Sequence, residues 1–534
     1  MRRAFAVGPR GRKLWIVSRS LDCVCDQRER TSIGVVMDAF ARHGQRVALR
    51  HEQGDWTFVQ LSAAVYRMAR ALQSEGLGRG ETIAILAGNQ PETFVLRYAA
   101  QVIGCGVAVL YQQLATPMLA EMLRASEAAA LVFDSTRFAD AGRALLGELP
   151  GIAGFALGDC RGATDIVARA ASRSSESMAI DARPEDVADI RFTSGTTGTP
   201  KGIPRTFRVP AYFAPSTLAV WADATQLLCT PVGHLGGTLA VVVLVAGGCV
   251  VLHERFEAGD VLAAIERERV SFAWMQPILL HQLLDHPAVE TTDTSSLRSI
   301  NVGGWASTPH RIVEAMERFG PIVVQGYGAS EAGQITWLSQ EEHVNPDLLT
   351  TVGRPVPGVD VSIRDSDGQP VASGITGEIW VRGPSMMTGY YKQPEQTARV
   401  LRDGWFRSGD LGFLDVEGYL TIVGRIKDVI ITTDVHIHPS QVEGVLMKHP
   451  GIQAAVVFGF TSGEDNDERV GAAVVPTPTH QLSRNEIASR VSVELGAPYV
   501  PEVILIVDTL PTTGSQKPDR DALRKIATAT TAST

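Results

Sequence analysis

The 534-residue chain has no surplus of positive charge, few aromatic residues and no regular cysteine spacing. Its 49 Lys and Arg residues are outnumbered by 58 Asp and Glu residues, which excludes a nucleic-acid-binding surface over the chain as a whole. The aromatic fraction is 6%, and the 45% hydrophobic content is typical of a globular protein. Scattered cysteines predict a reduced, cytoplasmic protein rather than a disulfide framework. They are Cys23, Cys25, Cys105, Cys160, Cys229 and Cys249.

Long hydrophobic runs are also scarce. The longest notable one, Leu235–Leu252, has 18 residues without a charge, which is the lower limit for a membrane span. Paired glycines at 236–237 and 247–248 interrupt it, and Glu254 follows closely. The pattern therefore favours a buried helix, a Gly-Gly turn and a core strand, with a membrane span as the less favoured alternative.

Residues 1–30 contain eight Lys and Arg residues and a short apolar stretch, LWIV. A signal peptide needs a longer apolar core, and Ser18 and Arg19 end this one after four residues. We expect a poorly ordered N-terminal extension.

Helix-like and strand-like segments alternate from Thr57 onward. Alternation at this spacing predicts an α/β fold with doubly wound, mostly parallel sheets. From about residue 350 to 424 the chain is rich in strands and turns, which predicts a small all-β piece. The last hundred residues return to mixed α/β character. Examples of the alternation are TFVQLSAAVYRMARALQSEGL, TIAILA, PETFVLRYAAQVIGCG, VAVLY, PMLAEMLRASE and AALVFD.

One loop, RFTSGTTGTPKGIPRT at 191–206, is rich in glycine, hydroxyl groups and lysine. Its glycines permit close backbone approach to an anion, and its hydroxyls and Lys201 suit phosphoryl oxygens. It is not a Walker A loop, because Lys201 follows Pro200 and precedes Gly202. Taken alone, the loop fits a polyphosphate site or a flexible linker equally well.

Ordered motifs further along the chain distinguish between these alternatives. With the loop itself, they are TSGTTGTPKG (193–202), QGYGASE (325–331), GEIWVRGPSMMTGYY (377–391), GWFRSGDLG (404–412), GRIKDVI (424–430) and LPTTGSQKPDR (510–520). Together these segments resemble, over about residues 31–526, the AMP-forming adenylating superfamily of acyl-CoA synthetases, luciferases and peptide-synthetase adenylation domains. Several motifs in the family's order are very improbable by chance.

The resemblance implies a role for each motif residue. Lys517 would bridge the carboxylate and the α-phosphate, Glu331 would bind Mg²⁺, and Ser330 would touch the α-phosphate. Asp410 would accept both ribose hydroxyls, and Arg425 would contact the ribose or a phosphate. The loop residues would hold the β- and γ-phosphates, and Gly326, Tyr327 and Gly328 would border the adenine. The loop set is Thr193, Ser194, Gly195, Thr196, Thr197, Gly198 and Lys201.

The resemblance also implies the domain organisation. We expect a large N-terminal domain over 31–425, built from two doubly wound α/β subdomains and a small β-barrel. A small, mobile α+β C-terminal domain would follow over 426–534. Lys427, two residues after the arginine of the GR motif, would be the hinge about which this domain rotates before CoA attacks the adenylate.

Two motifs depart from the family pattern. Thr433 and Asp434 stand where the family has two glycines beside the thiol tunnel, and with His436 they would line it. Side chains there would narrow the tunnel, and Asp434 would repel the phosphates of CoA. Gln516 replaces the glycine before Lys517, which would cost on the order of 1 kcal/mol if the position needs φ > 0. The first departure affects thioester formation and the second affects adenylation.

The acid-binding pocket of this family lies around the Tyr-Gly motif. No cation stands among its candidates here, so we expect a hydrophobic carboxylic acid: fatty, aryl or polycyclic, such as a terpenoid acid. The alternative is that Trp305 and Trp337 are ordinary core residues. The candidates are His234, Gly303, Gly304, Trp305, Ala329 and Trp337.

The HIH segment at 436–438 suggests zinc, because strand residues two apart share a face. No third ligand has suitable spacing, so we expect no zinc site there, nor at CVC (23–25).

The sequence thus predicts a cytoplasmic, ATP-dependent acyl-CoA ligase that uses ATP, Mg²⁺ and CoA and forms acyl-AMP on the way to the thioester. One alternative is a relative that runs only one half-reaction: adenylate formation, carrier-protein loading, or thioester formation from a supplied adenylate. Another is a non-catalytic nucleotide-binding protein of the same fold. A homodimer is compatible with the sequence, and neither nucleic acid nor stable membrane insertion is expected.

Overall fold

The computed structural model describes residues 5–7, 13–15, 30–193, 200–305, 307–432, 435–461, 468–477, 480–513 and 517–532. The chain divides into two units. The first comprises Met1–Trp274, Thr292–Ser299 and Met387–Pro394, and the second comprises Met275–Thr291, Ile300–Met386 and Glu395–Thr534.

The first unit alternates helices with strands, as expected. Its helices are α1 (Ser32–His43), α2 (Phe58–Ser74), α3 (Pro91–Val102), α4 (Thr116–Ser126), α5 (Ala139–Glu148), α6 (Ile166–Ala171), α7 (Pro215–Trp221), α8 (Leu235–Ala246) and α9 (Ala258–Arg267). Its strands are β1 (Phe5–Val7), β2 (Lys13–Trp15), β3 (Val47–His51), β4 (Gly54–Thr57), β5 (Thr82–Leu86), β6 (Gly106–Val109), β7 (Ala130–Asp134), β8 (Ala153–Leu157), β9 (Thr164–Asp165), β10 (Val187–Thr193), β11 (Lys201–Thr206), β12 (Thr225–Leu228), β13 (Cys249–Leu252) and β14 (Phe272–Met275).

A seven-stranded sheet in this unit has the order β11-β10-β6-β5-β7-β8-β9. Every pair is parallel except β10 with β11, which form an antiparallel hairpin at the sheet edge. All residues of β5 and β7 are buried, as expected for central strands with helices on both faces. The predicted doubly wound α/β architecture is confirmed.

The Leu235–Leu252 segment folds as predicted. It forms α8, a turn at Gly247 with φ of 87°, and the strand β13. The positive φ explains the glycine, since a residue with a Cβ is strained there. Strands β14, β12, β13 and β3 of this unit run parallel beside one another, and β4 pairs with β3 in the opposite direction.

The second unit contains the later motifs, except that residues 387–391 of the GEIWVRGPSMMTGYY motif belong to the first unit. Its helices are α10 (Pro277–Leu284), α11 (Pro309–Phe319), α12 (Pro394–Val400), α13 (Pro439–Leu446), α14 (Arg484–Leu495) and α15 (Arg520–Ala532). Its strands are β15 (Ser299–Val302), β16 (Val323–Ala329), β17 (Gly333–Leu338), β18 (Arg354–Pro355), β19 (Asp360–Arg364), β20 (Gly377–Arg382), β21 (Leu401–Arg402), β22 (Trp405–Leu414), β23 (Leu420–Arg425), β24 (Ile430–Ile431), β25 (His436–Ile437), β26 (Ile452–Phe460), β27 (Arg469–Pro476) and β28 (Val503–Ile506).

Three sheets organise the functional part of this unit. Strand β15 is parallel to β16, and β16, β17 and β18 continue antiparallel. The predicted small β piece is a five-stranded antiparallel sheet of β19–β23. The sheet β26-β27-β28 shares one apolar cluster with α13 and α14 and a second apolar cluster with α15. This packing of helices on a sheet gives the expected α+β character near the C-terminus.

The division at residues 425–426 and the hinge at Lys427 stay predictions. Residues 426–428 form a short 3₁₀ helix directly after β23. Most of the predicted N-terminal extension lies outside the described residues, and within it β1 and β2 pair antiparallel. Among the described residues, no helix combines the length and apolar character needed to cross a membrane. The cysteines at 105, 160, 229 and 249 are free thiols.

Candidate active site

Tyr327, Asp410 and Arg425 form a hydrogen-bonded group in the second unit. The Tyr327 hydroxyl donates to Asp410 Oδ2 at 2.5 Å, and Arg425 Nε donates to Asp410 Oδ1 at 2.7 Å. The Asp410 side chain is 16% exposed, so its charge is largely shielded from water but directly paired. Each carboxylate oxygen thus has one protein donor and retains lone pairs for a ligand.

The strands of the second unit bring these three residues together. Asp410 of β22 and Arg425 of β23 are direct cross-strand partners in an antiparallel pair. Tyr327 comes from β16, where β17 pairs with it. Burial and the neighbouring Asp410 carboxylate raise the pKa of Tyr327 well above its ordinary value, so the hydroxyl keeps its proton and acts as the donor.

Glu378 supports Asp410 from the neighbouring strand, and the motif analysis did not assign it a role. Its carboxylate accepts from Trp380 Nε1 at 2.9 Å, from Arg407 Nη2 at 2.9 Å and from the Gly409 N–H at 3.3 Å. Glu378 is 8% exposed. These bonds fix the backbone directly before Asp410, and the only sequence signal was the position of Glu378 inside the GEIWVRG motif.

Lys517 is close enough to the same group to interact with it electrostatically. Desolvation lowers the pKa of Lys517 and repulsion from Arg425 and Lys427 lowers it further, while attraction to Asp410 and Glu331 offsets part of the effect. The Lys517 residue is nevertheless exposed, so it lies in a crowded region that a ligand can still reach. The structure therefore brings the predicted lysine, both acidic residues and the arginine into one electrostatic neighbourhood.

Strand β17 approaches the chain closely at Gly326 and Gly328. A Cβ on Gly326 would lie 2.3 Å from Gln334 Nε2, and one on Gly328 would lie 2.7 Å from the Gly333 carbonyl oxygen. A side chain at Gly328 would therefore push against the β17 backbone, whereas one at Gly326 would first displace the end of the Gln334 side chain. Their sequence-predicted place beside the adenine stays a prediction.

Ser330 and Glu331 lie in the turn between β16 and β17. Among the described residues, no group of three or more His, Cys, Asp or Glu side chains could hold a metal ion by itself. That is compatible with Mg²⁺ brought by ATP, because Mg²⁺ commonly uses one or two carboxylates together with phosphate oxygens and water. Glu331, whose charge acts on the pKa of Lys517, fits the role of such a carboxylate.

The two ends of the Gly/Thr loop lie in the first unit. Thr193 ends β10, Lys201 begins β11, and the two are direct partners in the hairpin. The Lys201 ammonium lies 5.3 Å from the centre of the Tyr390 ring. Ser194, Gly195, Thr196, Thr197 and Gly198 lie outside the described residues.

His234 stands immediately before α8, at the position predicted for the acid pocket. Its ring packs on Tyr111, with ring centres 4.5 Å apart and planes inclined by 33°. The Tyr111 hydroxyl donates to the backbone carbonyl of Phe192, one residue before Thr193. Tyr111, which the motifs did not indicate, thus connects His234, a candidate for the acid pocket, with the strand that leads into the Gly/Thr loop.

Gly303, Gly304 and Trp305 follow β15 directly. Trp305 packs partly against the apolar cluster of α15 and the β26-β27-β28 sheet, and the Arg520 guanidinium lies 5.8 Å from its ring centre. The indole therefore contacts residues near the C-terminus in this structure. Its predicted contribution to the acid pocket stays a prediction.

Ala329 ends β16, and Trp337 of β17 is the cross-strand partner of Gly326. Trp337 is 38% exposed, so it is not an ordinary core residue. A large apolar side chain at the surface beside the Tyr327 strand is available to a ligand.

The remaining predicted residues concern the second half-reaction. His436 is exposed in the short strand β25, opposite Ile431. Thr433, Asp434 and Gln516 lie outside the described residues. Lys427 lies in the 3₁₀ helix, where desolvation lowers its pKa and the adjacent Asp428 partly restores it.

Comparisons with known proteins show the family to which the chain is related. A family model described as AMP-binding enzyme matches residues 36–391, and one described as AMP-binding enzyme C-terminal domain matches residues 441–517. A medium/long-chain-fatty-acid–CoA ligase of Mycobacterium tuberculosis is 33% identical over 92% of this chain and 89% of its own length. A feruloyl-CoA synthase of Amycolatopsis sp. is 33% identical over 88% of this chain and 94% of its own. The solved structure of an amide bond synthetase from Marinactinospora thermotolerans has a TM-score of 0.82 and 35% identity, covering 93% of this chain and 100% of its own.

Proposed function

The chain belongs to the AMP-binding enzyme family, and we propose that it is an ATP-dependent ligase that converts a hydrophobic carboxylic acid into its CoA thioester. In the first step the carboxylate attacks the α-phosphorus of ATP, giving acyl-AMP and pyrophosphate. In the second step the CoA thiol attacks the acyl carbon, giving acyl-CoA and AMP. The observation that carries the proposal is the hydrogen-bonded group of Tyr327, Asp410 and Arg425, in which each carboxylate oxygen of Asp410 has one protein donor.

Asp410 is the proposed acceptor for the two ribose hydroxyls. Tyr327 and Arg425 hold its two oxygens in a fixed orientation before any nucleotide arrives. An acceptor fixed in advance binds without an ordering cost, which is the physical advantage of the arrangement. Arg425 additionally offers its remaining N–H groups to the ribose or a phosphate.

Lys517 is the proposed catalytic residue of the first step. Two anions must approach each other there, so a positive charge between them lowers the barrier most where negative charge develops. Glu331 would hold the Mg²⁺ that accompanies ATP, and that ion would supply charge neutralisation at the phosphates. Thr193, Lys201 and the residues between them would hold the β- and γ-phosphates that leave as pyrophosphate.

The acid is proposed to be an aryl or fatty acid. His234 and its partner Tyr111 offer an aromatic wall, and Gly303, Gly304, Ala329 and Trp337 are small or apolar. The relatives named for fatty-acid and feruloyl substrates support this range of chemistry. No cationic residue stands among these candidates to pair with a second carboxylate.

A second candidate function is amide formation, in which an amine takes the place of the CoA thiol. It is favoured by the 35% identity to an amide bond synthetase and by Thr433–Asp434, which replace the glycines expected beside a thiol tunnel. An enzyme that releases or transfers acyl-AMP without CoA belongs to the same group of alternatives.

Mass spectrometry of the purified protein distinguishes these functions. The full chain is given ATP, MgCl₂ and octanoate, ferulate or indole-3-acetate, each with CoA, with phenethylamine, or with neither. We expect acyl-CoA in the CoA arm and acyl-AMP when no acceptor is present, with omission of ATP as the control. Amide without thioester would establish the second candidate, and absence of both acyl-AMP and acyl-CoA with every acid would contradict the proposal.

A further inference from the structure

Gln453 of β26 contacts helix α10 through both its side chain and its backbone. Its Nε2 donates to Asp285 Oδ2 at 2.6 Å, and its carbonyl oxygen lies 3.2 Å from His281 Nδ1. Gln453 follows the predicted hinge at Lys427, whereas Asp285 and His281 precede it. All of these residues lie in the second unit.

The two residues that Gln453 contacts, Asp285 and His281, are themselves held by hydrogen bonds from Arg311. Arg311 of α11 donates to Asp285 Oδ1 at 2.7 Å and to the His281 carbonyl at 2.9 Å. The Arg311 and Asp285 side chains are only 11% and 15% exposed. Because Arg311 stays with Asp285 when Gln453 leaves, opening the contact strands no buried charge.

His281 is a neutral donor in this arrangement. Burial lowers its pKa to about 4, and the nearby Arg311 lowers it as well. The partner of Nδ1 is a carbonyl oxygen, which only accepts, so Nδ1 carries the proton. The Gln453 side chain therefore donates to the Asp285 carboxylate, and the Gln453 backbone carbonyl accepts from His281 Nδ1.

A movement of the segment after Lys427 would break this contact. Lys517 lies in a crowded region beside Asp410 and Glu331, where the adenylate is proposed to form. A thiol or amine must then reach the acyl carbon in the same region. If the segment carrying Lys517 turns aside for that step, Gln453 must leave Asp285 and His281.

We propose that Gln453 is a positioning residue that holds residues 426–534 in the arrangement for adenylate formation, with Asp285, His281 and Arg311 as its receptor. The proposal rests on the two-step function proposed above. The hydrogen bond from the Gln453 amide to the Asp285 carboxylate is strong enough to favour one arrangement of residues 426–534 over another. It is also weak enough to open once in each catalytic cycle.

The half-reactions separate this role from a structural one. The test compares wild type with Gln453→Ala and Gln453→Glu, the latter placing a second carboxylate against Asp285. Gln73→Ala is the matched control, because Gln73 makes a similar contact to Asp181 at 3.2 Å in the first unit. Adenylation is followed as pyrophosphate released from octanoate and ATP, and the second step as octanoyl-CoA formed from synthetic octanoyl-adenylate and CoA.

We expect Gln453→Ala to slow adenylation about tenfold and Gln453→Glu to slow it more, with the second step unchanged or faster. Gln73→Ala should match wild type in both. Equal slowing of both steps, or no slowing of either, would overturn the proposal. Tm values close to that of the control exclude simple unfolding.

Hydrogen exchange gives a readout that does not depend on turnover. In the intact protein, Gln453→Ala should increase amide exchange in 277–284 and 452–460, and Gln73→Ala should not. Wild-type protein that is inactive with octanoate, ferulate and indole-3-acetate would contradict the proposed function, while exchange would still decide whether Gln453 holds the contact. Unchanged exchange in Gln453→Ala would overturn the positioning role whatever the activity.

Discussion

The two regions assigned to ATP differ in how their charged groups are held. In the second unit both oxygens of Asp410 have protein donors, Tyr327 and Arg425, and Glu378 fixes the preceding backbone. In the first unit the Lys201 ammonium lies over the Tyr390 ring at 5.3 Å. Asp410, the proposed ribose acceptor, is therefore oriented in advance, whereas Lys201, the proposed phosphate ligand, would exchange an aromatic contact for a phosphate. We therefore expect ribose binding at Asp410 to cost little ordering and phosphate binding at Lys201 to compete with the aromatic contact.

Lys517 should produce the largest effect, because it is the one proposed catalytic cation beside the Asp410 group. Lys517→Ala should lower the adenylation rate by about a thousandfold, since it removes a charge aimed at the developing negative charge. Formation of acyl-CoA from supplied octanoyl-adenylate should persist, as measured by mass spectrometry. Lys525→Ala, an exposed lysine on α15, is the matched control and should leave both steps unchanged. Equal loss of both steps in Lys517→Ala would contradict this division of labour.

Substitution of Asp410 should have the second-largest effect, because its carboxylate is held in a fixed orientation and is the proposed acceptor for both ribose hydroxyls. Asp410→Asn should raise the KM for ATP by about 30- to 100-fold, since it weakens two charge-assisted hydrogen bonds to the ribose. Tyr327→Phe should raise it only about three- to tenfold, because the carboxylate remains and loses one orienting donor. Steady-state kinetics measure both, with Asp403→Asn, at an exposed position in the turn between β21 and β22, as control. A Tyr327→Phe effect as large as that of Asp410→Asn would show that orientation, not charge, dominates.

The pH dependence of adenylation sharpens the comparison further. The pKa of Lys517 lies below the ordinary 10.5, so kcat/KM should fall tenfold per pH unit beginning at a pH below 10.5, where the ammonium loses its proton. Lys517→Arg keeps its charge at these pH values, so this alkaline limb should disappear even if the rate is lower. Tyr327 does not explain the limb, because its pKa is raised well above 10.0. An unchanged limb in Lys517→Arg would assign the titration to another group.

The sequence predicts the architecture well because it depends on local patterns. The alternation around β5, α3 and β7 sets the parallel sheet, and Gly247 marks the turn after α8 by its need for a positive φ. The motifs likewise name the candidate site residues, whose roles stay predictions. What they did not predict is how those residues contact one another.

Those contacts depend on tertiary packing. The Tyr327–Asp410 bond joins residues 83 positions apart, and no local pattern reports such a pairing. Trp305 follows a strand in a loop, where packing against the cluster near α15 determines the direction of the indole. Tyr111 lies outside the motifs, and only its contacts with His234 and Phe192 indicate that it belongs near the candidate site.

The smallest predicted effect concerns the competing contact of Lys201. Tyr390→Leu removes the aromatic face, so the lysine should bind phosphate without first leaving the ring. Lys201 is partly exposed although the Tyr390 ring is buried, and a cation–π contact to such a lysine is worth about 0.5–1 kcal/mol, so the KM for ATP should fall about two- to fivefold. Tyr390→Phe is the matched control, because it keeps the ring, and its KM should be closer to that of wild type than the KM of Tyr390→Leu. A higher KM in Tyr390→Leu would mean that the ring positions Lys201 for phosphate, and the two regions would then both be preorganised.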